Sequence, residues 1–370
     1  MTNTPRVLSL IGDENGCTLW RTWGPFTELQ KQGVFAHWKH KDDPELISPA
    51  FVAKVPANFD AVILPRLSWQ DHEAGQRYIR SLHAVGMAVI LEVDDDVFSS
   101  AIVGRQKATT EPLKLLEQLE QDRLDRIIVL QQCDGVTVST PRLATVVRTL
   151  TDRPVRVVPN AIDAPWWRDV LRGVRRVVPP LTVGWAGGAR YPEDLTAVAE
   201  AWHNLARRYP EVTFVVQGHM AEVLIDAVPE DRCRRLPWLP VAEYPRAMVN
   251  IDIGCASVAD KHFNRAKTPI KLWEYTLAGA AVVASPTLYG PAIEDGWDGL
   301  IASTAKEWET QLARLVESPD MRRFLRRAQR KRIMERHTLA KNAWRWPDAW
   351  ASILADFHAR QAGTLTEVAA

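Results

Sequence analysis

Two lysines and a glutamate recur at helical spacing within FNRAKTPIKLWEYTLAGAAVVASP, residues 263–286. Lys267, Lys271 and Glu274 are separated by four and then three residues, so in a helix they share one face. Lysines at the start of a helix are repelled by the positive end of its dipole, and a bound anion would remove that repulsion. The spacing fits a phosphate site, and it fits equally a solvated face with a weak Lys271–Glu274 ion pair.

The same stretch carries signals for where this helix begins and ends. Thr268 is a suitable N-cap, and Pro269 suits the first helical position because the N–H that proline lacks would be unpaired there. Gly279 is placed to end the helix before the apolar run AVVAS. We expect a short helix whose unpaired N–H groups and dipole attract an anion.

A glycine pair follows an apolar run in VGWAGGARYPEDL, residues 183–195. Gly187 and Gly188 would let the backbone approach a phosphate closely, and Arg190 is the nearby cation. The sequence is not the dinucleotide fingerprint, which requires G-x-G-x-x-G. Taken alone, such a glycine turn is more often simply a turn.

A second glycine-containing loop lies near the start of the chain, in IGDENGCTLWRTWGPFTELQKQG, residues 11–33. The pattern is again a strand, a loop and a helix. Gly16 and Arg21 are the candidate ligand contacts. The alternative is an ordinary connection with a surface arginine.

Three adjacent aspartates occur in LEVDDDVF, residues 91–98, at the end of an apolar run. The carboxyl ends of parallel strands are where α/β proteins collect functional groups. Neighbouring carboxylates repel one another, which indicates a cation, an acceptor hydroxyl or a basic partner. Asp94 and Asp95 are the first candidates, and helix capping is the alternative.

Short apolar runs alternate with helical patterns along most of the chain, which is typical of parallel sheets covered on both faces. The sequence therefore predicts an α/β protein with two Rossmann-like αβα domains, at 1–158 and 181–338. A Pro- and Arg-rich stretch at 159–180 is interpreted as a linker, and a C-terminal helix at 339–370 could return to the first domain. Proteins of this kind bind ligands at the carboxyl ends of strands, in the cleft between domains.

Composition narrows the class of protein. The net charge of the 370 residues is +1, so the overall charge does not attract nucleic acid or an anionic membrane. No apolar run approaches the ~18 residues of a membrane span, and the N-terminus is too polar for a signal peptide. The four cysteines are far apart and the nine histidines lack metal-ligand spacing. These features predict a cytoplasmic protein with reduced thiols.

The segment FNRAKTPIKLWEYTLAGAAVVASPTLYGPAIEDGWDGLIA resembles the donor-binding segment of GT-B glycosyltransferases, especially family 4 (glycosyl transferases group 1). In those retaining enzymes a helix with a glutamate precedes a small-Gly-x-Val-Val strand and an Asp-Gly turn. The resemblance extends to VGWAGGARYPEDL and LPVAEYPRAMVNIDIGCA and covers roughly residues 155–340, with the first domain resembling the family more loosely. It implies a GT-B architecture, two Rossmann-like domains facing across a cleft, with the nucleotide sugar bound by the second domain.

The resemblance also implies how the helix in this segment meets the donor. Glu274 matches the family glutamate that hydrogen-bonds the donor ribose. The backbone from Thr268 to Ile270 would meet the diphosphate, with Lys267 or Lys271 supplying charge. In the family an arginine and a lysine after the preceding glycine strand clamp the phosphates, whereas only Arg190 follows that strand here.

One position departs from the family pattern. Many members carry a glutamate eight residues before the ribose-binding one, and it contacts the donor sugar. Here that position is Ala266, so we expect Asn264 or Arg265 to contact the sugar instead. Trp238 lies in the region where enzymes of that family hold the base, which implies either a stacking partner for the base or a core residue.

For the first domain, the resemblance implies that the loop with Gly16 and Arg21 closes over the donor phosphate or admits the acceptor. Asp94 and Asp95 would contact the acceptor or the sugar. GT-B enzymes are usually independent of metal, because lysines, arginines and helix dipoles neutralise the phosphates. We therefore expect neither a metal nor another cofactor.

A basic run occupies residues 318–337, SPDMRRFLRRAQRKRIMERH, with eight arginines and lysines against two acidic residues. A solvated amphipathic helix is one explanation. A contact with a membrane surface or with DNA phosphates is the other, and it would place the protein on the inner face of a membrane or on a polyanionic acceptor.

The sequence thus predicts a glycosyltransferase that moves a sugar from a nucleoside diphosphate sugar to an unidentified acceptor, such as a polysaccharide, a lipid carrier or a modified DNA base. Retention of configuration is implied by the resemblance. Lys271 would stabilise charge on the leaving diphosphate while Asp94 and Asp95 hold the acceptor. The alternatives are a nucleotide-sugar epimerase or hydrolase of the same fold, and a non-catalytic protein that binds DNA or a membrane surface.

Overall fold

The computed structural model describes residues 4–11, 16–41, 43, 45–46, 48–65, 72–99, 112–179, 181–188, 191–219 and 221–363. They form two compact units. The first contains the described residues as far as Asp163 together with those from Leu339 onward, and the second runs from Ala164 to Thr338.

The first unit is built on six parallel strands in the order β2-β1-β3-β4-β5-β6. The strands are β1 Val7–Ile11, β2 Ala36–His40, β3 Ala61–Pro65, β4 Ala88–Val93, β5 Gly135–Val138 and β6 Val155–Val157. Its helices are α1 Gly16–Thr18, α2 Gly24–Lys31, α3 Pro49–Val52, α4 Val55–Asn58, α5 His72–Ala84, α6 Pro112–Gln132, α7 Pro141–Arg148, α17 Leu339–Asn342 and α18 Arg345–Gln361.

The second unit repeats this plan with six parallel strands in the order β12-β11-β10-β7-β8-β9. The strands are β7 Thr182–Gly188, β8 Thr213–His219, β9 Cys233–Leu236, β10 Ile253–Ala256, β11 Ala281–Ala284 and β12 Leu300–Ile301. Its helices are α8 Ala164–Leu171, α9 Thr196–Arg208, α10 Glu222–Ile225, α11 Tyr244–Met248, α12 His262–Arg265, α13 Ile270–Ala278, α14 Pro286–Tyr289, α15 Ala305–Glu317 and α16 Pro319–Arg336.

The inner strands are buried and largely apolar, as expected of parallel sheets with helices on both faces, whereas the edge strands β2 and β9 are polar and partly exposed. In the first unit, Trp346, Trp350 and Ile353 of α18 are buried in one cluster with residues of β1, β3 and β4. In the second unit, Trp202 of α9 and Trp308 of α15 are buried against the inward residues of β7 and β8. The predicted α/β class with two parallel sheets is confirmed.

The stretch interpreted as a linker at 159–180 contains regular structure that its proline and arginine content obscured. Residues Ala164–Leu171 form α8, in which Trp167 is buried, and this helix contacts α11 within the second unit. None of the described helices combines the length and the apolar character that crossing a bilayer requires.

Candidate functional site

Two glycines bring the carboxyl ends of β7 and β8 unusually close together. Gly187 and Gly218 are partners in the strand register, and both have positive φ, +150° and +141°. A Cβ atom on Gly218 would lie 1.8 Å from the carbonyl oxygen of Gly187, so only glycine fits there. Gly188 ends β7 directly after this contact. The predicted glycine turn is therefore a close approach of two backbones at the edge where α/β proteins bind ligands.

The helix that carries the lysine and glutamate begins later than the sequence predicts. Pro269 is the N-cap residue, with φ −76° and ψ 46°, and α13 starts at Ile270, so the prediction of Thr268 as N-cap is wrong. The N–H of Ile270 donates to the carbonyl of Thr268, and that of Leu272 to Pro269. Because these two N–H groups are already paired, fewer free N–H groups remain to bind an anion than the sequence predicts. Gly279, at φ +108°, ends the helix as predicted.

Lys271 now lies in the first turn of α13, beside the glycine pair. Its Cε atom is 3.3 Å from the position that a Cβ on Gly187 would occupy. Its Nζ donates to Oε2 of Glu274 at 2.6 Å, and also to the hydroxyl of Tyr244, over whose ring it lies at 4.4 Å from the centroid. The ammonium group is thus fixed at the carboxyl edge of the sheet by one carboxylate and one aromatic ring.

Glu274 is held in the interior of the unit, with 6% of its side chain exposed, whereas the Lys271 side chain is 28% exposed. The Tyr244 hydroxyl donates to Oε2 of Glu274 at 3.3 Å. Burial raises the pKa of Tyr244 well above its ordinary value, and the nearby Glu274 carboxylate adds to that shift, so this phenol stays protonated. The predicted Lys271–Glu274 pair exists, but it is a largely buried pair and not a solvated one.

Tyr275 fixes the helix to the strands beneath it. Its hydroxyl oxygen accepts a hydrogen bond from the N–H of Ala186 in β7 at 2.7 Å. Gly254 in β10 makes room for the ring, since a Cβ there would lie 2.6 Å from Cγ of Tyr275. Because the residue before Tyr275 is Glu274, this anchoring positions the carboxylate as well.

Trp238 follows β9 and is not part of the core, because 53% of it is exposed. Its ring stacks on that of His219, the last residue of β8, with centroids 4.8 Å apart and an interplanar angle of 26°. Of the two sequence interpretations, the structure favours the stacking surface. A planar ligand can be sandwiched against such an exposed indole.

At the position of the missing family glutamate, Ala266 is completely buried. Asn264, two residues earlier, is also buried, and its Nδ2 donates to Asp194 at 2.8 Å and to the carbonyl of Ala259 at 3.0 Å. Within the described part of the chain its Oδ1 has no hydrogen-bond partner. An unpaired buried acceptor is costly, so this atom is suited to a hydroxyl donor from a ligand.

The cations predicted to join this site differ in their surroundings. Arg265 is exposed and forms a two-pronged ion pair with Asp260, both contacts being 2.5 Å, which disfavours the predicted sugar contact. The Nζ of Lys267 lies 4.8 Å from the ring centroid of Phe263 and makes no ion pair with any described residue. Arg190 falls outside the described residues.

In the first unit, the Arg21 side chain is buried and forms hydrogen bonds within the protein. It lies in a π-helical turn, Leu19–Trp23, with 2% of its side chain exposed, and its Nε donates to Glu92 at 2.5 Å. Its Nη1 donates to the carbonyl of Val158 at 2.6 Å and to Oδ1 of Asn160 at 2.8 Å. This geometry disfavours the predicted phosphate contact, because the guanidinium is committed to a buried pair.

Of the three aspartates after β4, one caps the following turn and two remain candidates for the acceptor contact. Asp96 is fully buried and accepts hydrogen bonds from the N–H groups of Phe98 and Ser99, as the capping alternative predicts. Asp94 and Asp95 are half-buried at the carboxyl end of β4, where the acceptor contact was predicted. Gly16 is exposed at the start of α1, and a Cβ there would meet nothing within 4 Å, so no close approach requires this glycine.

Four residues of the second unit were not predicted as parts of a site, and one of them is Gly218, the register partner of Gly187. Tyr244 was visible only as part of the segment LPVAEYPRAMV, and nothing in its local pattern shows that its hydroxyl reaches α13. His219 ends a strand, which is the signal that could have identified it. Asp194 joins Asn264 to a 3₁₀ turn 70 residues away, which no local pattern indicates.

Comparisons with known proteins agree with this architecture. Residues 196–347, less than half of the chain, match a family model described as glycosyl transferase-like. No curated protein sequence matches the chain.

Solved structures show the same fold at low sequence identity. Anabaena Alr3699/HepE in complex with UDP and glucose is 14% identical, with a TM-score of 0.61 over 94% of this chain and 100% of that one. The E. coli trehalose-6-phosphate protein bound with UDP-2-fluoro glucose is 11% identical, with a TM-score of 0.56 over 94% and 98%.

The pneumococcal O-GlcNAc transferase GtfA in complex with UDP and GlcNAc is 14% identical, with a TM-score of 0.55 over 83% of this chain and 59% of that one. The chain therefore has the GT-B fold, and it resembles glycosyltransferases both in that fold and in the glycosyl transferase-like sequence of residues 196–347.

Proposed function

We propose that this protein is a glycosyltransferase that uses a UDP-sugar, of the retaining type found in family 4. The observation that carries the proposal is the cluster of Lys271, Glu274 and Tyr244 at the carboxyl edge of the second sheet, next to the close approach of Gly187 and Gly218. The likeness to proteins solved with UDP, UDP and glucose, or UDP-glucose supports uracil as the base.

The diphosphate would be bound mainly by Lys271. The lysine is partly exposed, lies in the first turn of α13 and faces a backbone segment without side chains. The positive end of the helix dipole acts on the same place. As the bond between the anomeric carbon and the diphosphate oxygen breaks, charge develops on the leaving phosphate, and a preorganised cation in a water-poor site stabilises it.

The nucleoside would be bound by Glu274 and Trp238. Both hydrogen bonds to Glu274 reach Oε2, and none from the described residues reaches Oε1, which leaves acceptor capacity for the ribose hydroxyls. The exposed indole of Trp238, backed by His219, offers a stacking surface for the base. The sugar would meet the unpaired Oδ1 of Asn264.

The acceptor side is assigned to Asp94 and Asp95 at the carboxyl end of β4 in the first unit. A carboxylate there would hold the acceptor hydroxyl and its leaving proton. Since lysine and the helix dipole supply the positive charge at the phosphates, neither a metal nor another cofactor is part of the proposal.

The test is release of UDP from UDP-sugars, followed with and without an extract that supplies acceptors. Turnover that requires the acceptor, with a glycosylated product, supports the transferase. Turnover with donor alone, yielding free or isomerised sugar, supports the epimerase or hydrolase alternative. No turnover with any UDP-sugar under either condition contradicts the proposal.

A Glu274→Gln variant assigns the activity to this site. Glu309→Gln is the matched control, because Glu309 also accepts from a lysine three residues before it, but it belongs to α15 and accepts in addition from Nδ2 of Asn204 in α9. We expect the first variant to lose at least tenfold in kcat/KM, which corresponds to about 1.4 kcal/mol, and the control to keep wild-type turnover. Equal turnover in both variants would remove Glu274 from the proposed site.

A further inference from the structure

The basic helix α16 contains two functionally different sets of cations. Arg322 donates to the carbonyls of Leu315 and Val316, and Arg326 donates to the carbonyl of Gly279 at 2.9 Å, so both cap the ends of neighbouring helices. Arg332 forms an ion pair with Asp298 at 2.6 Å. The fold itself therefore explains three of the eight basic residues.

The other five basic residues are exposed, and one of them, Arg336, lies on a different side of the helix from the other four. These four cations lie within nine residues of the helix and share one side of it with two apolar residues. We call this side the basic face: Arg323, Phe324, Arg327, Arg330, Lys331 and Met334. Its only acidic neighbours along the helix are Asp320, paired with Arg323, and Glu335, 3.8 Å from Lys331.

Exposed apolar groups accompany these cations. Phe324 is 43% exposed and Met334 is likewise exposed. Trp297, in the turn before β12, is 54% exposed and meets the Phe324 ring edge-on at 5.0 Å. Two large aromatic rings in contact with water and with each other have no role in the core of this unit. Their burial elsewhere would be favourable.

We propose that the basic face, with Trp297, docks this protein on an anionic lipid bilayer. Cations that alternate with exposed aromatic and methionine side chains match a membrane interface, where lipid phosphates meet the start of the acyl chains. A duplex would use the arginines but would leave the apolar side chains without a partner, so the bilayer accounts for more of the face than DNA does.

The experiment is co-sedimentation of the full chain with vesicles of phosphatidylcholine, with and without phosphatidylglycerol. We expect binding to the phosphatidylglycerol vesicles only, weakening as salt is raised. The variant Arg327→Glu/Lys331→Glu should bind at least about thirtyfold more weakly, since each basic residue at an anionic surface contributes about 1 kcal/mol.

The matched control is Arg175→Glu/Arg207→Glu, which makes the same change in net charge at exposed positions elsewhere in the second unit. It should bind within about threefold of wild type. Phe324→Ala should weaken binding at low and high salt alike, because it removes an apolar contact and no charge. A thermal unfolding measurement on each variant checks that it is folded.

Three outcomes overturn the proposal. The first is no binding of wild type to phosphatidylglycerol vesicles. The second is equal loss of binding in the face variant and its charge-matched control. The third is binding to duplex DNA that depends on Arg327 and Lys331, with no binding to vesicles.

Discussion

The ion pair between Lys271 and Glu274 allows a quantitative test of how α13 is built. The carboxylate is 6% exposed, so Lys271→Met would leave it buried without a cation. Breaking a fully buried pair costs roughly 3–5 kcal/mol. Because the Lys271 side chain is 28% exposed, water screens part of the interaction, and we expect a coupling energy of about 2 kcal/mol.

A double-mutant cycle of Lys271→Met and Glu274→Gln measures this coupling in the free energy of unfolding. The double variant should be more stable than the sum of the single effects predicts, by about 2 kcal/mol, or roughly 4–8 °C in Tm for a unit of this size. The same cycle on Lys306 and Glu309 is the control, since that pair has the same spacing but its lysine is 79% exposed. We expect less than about 1 kcal/mol there. Equal coupling energies in the two cycles would contradict the conclusion that burial strengthens the Lys271–Glu274 pair.

Three further perturbations test other parts of the account. Gly218→Ala should force the ends of β7 and β8 apart and lower the unfolding free energy by about 2 kcal/mol or more in a denaturant titration, whereas Gly16→Ala should change it by less than about 0.5 kcal/mol. Burial raises the pKa of Glu92 and Arg21 opposes that shift, so in Arg21→Met the carboxyl should titrate higher still. The stability deficit of that variant should therefore be smallest near pH 4.5 and grow towards pH 7, and a deficit independent of pH would contradict the pair. Burial lowers the pKa of His337 below 6.5, so wild type should lose stability as pH falls from 6.5 through the lowered folded-state pKa, and His337→Gln should lose less over the same range.

The parts of the fold that could be predicted from sequence are those set by local patterns. Apolar runs such as AVILEV and AVVAS alternate with amphipathic stretches, and this alternation alone predicts parallel sheets with helices on both faces. Gly279 ends its helix because an αL position there favours glycine.

The start of α13 and the contacts between distant residues could not be predicted from local patterns. Thr268 has good N-cap chemistry, yet the helix starts at Ile270, after Pro269 has taken the capping position. Arg21 was predicted as a ligand contact, with a surface arginine as the alternative, but it pairs with Glu92, 71 residues away.

Within the candidate site, Lys271, Glu274 and Gly187 each have a local signal in the sequence, whereas Gly218, the register partner of Gly187, was not among the predicted residues. Tyr244 and the orphaned oxygen of Asn264 could not be predicted, because their importance depends on which strands and helices meet. The ion pair of Arg265 with Asp260 depends on side-chain geometry that spacing does not set.

The most direct test of the central claim is a calorimetric titration of UDP into wild type, Lys271→Met and Lys306→Met. The account predicts that wild type and the Lys306 variant bind UDP equally, and that the Lys271 variant binds at least tenfold more weakly, a loss of about 1.4 kcal/mol. Equal affinity in all three proteins, or no binding of UDP to wild type, would contradict a nucleotide-sugar site at the start of α13.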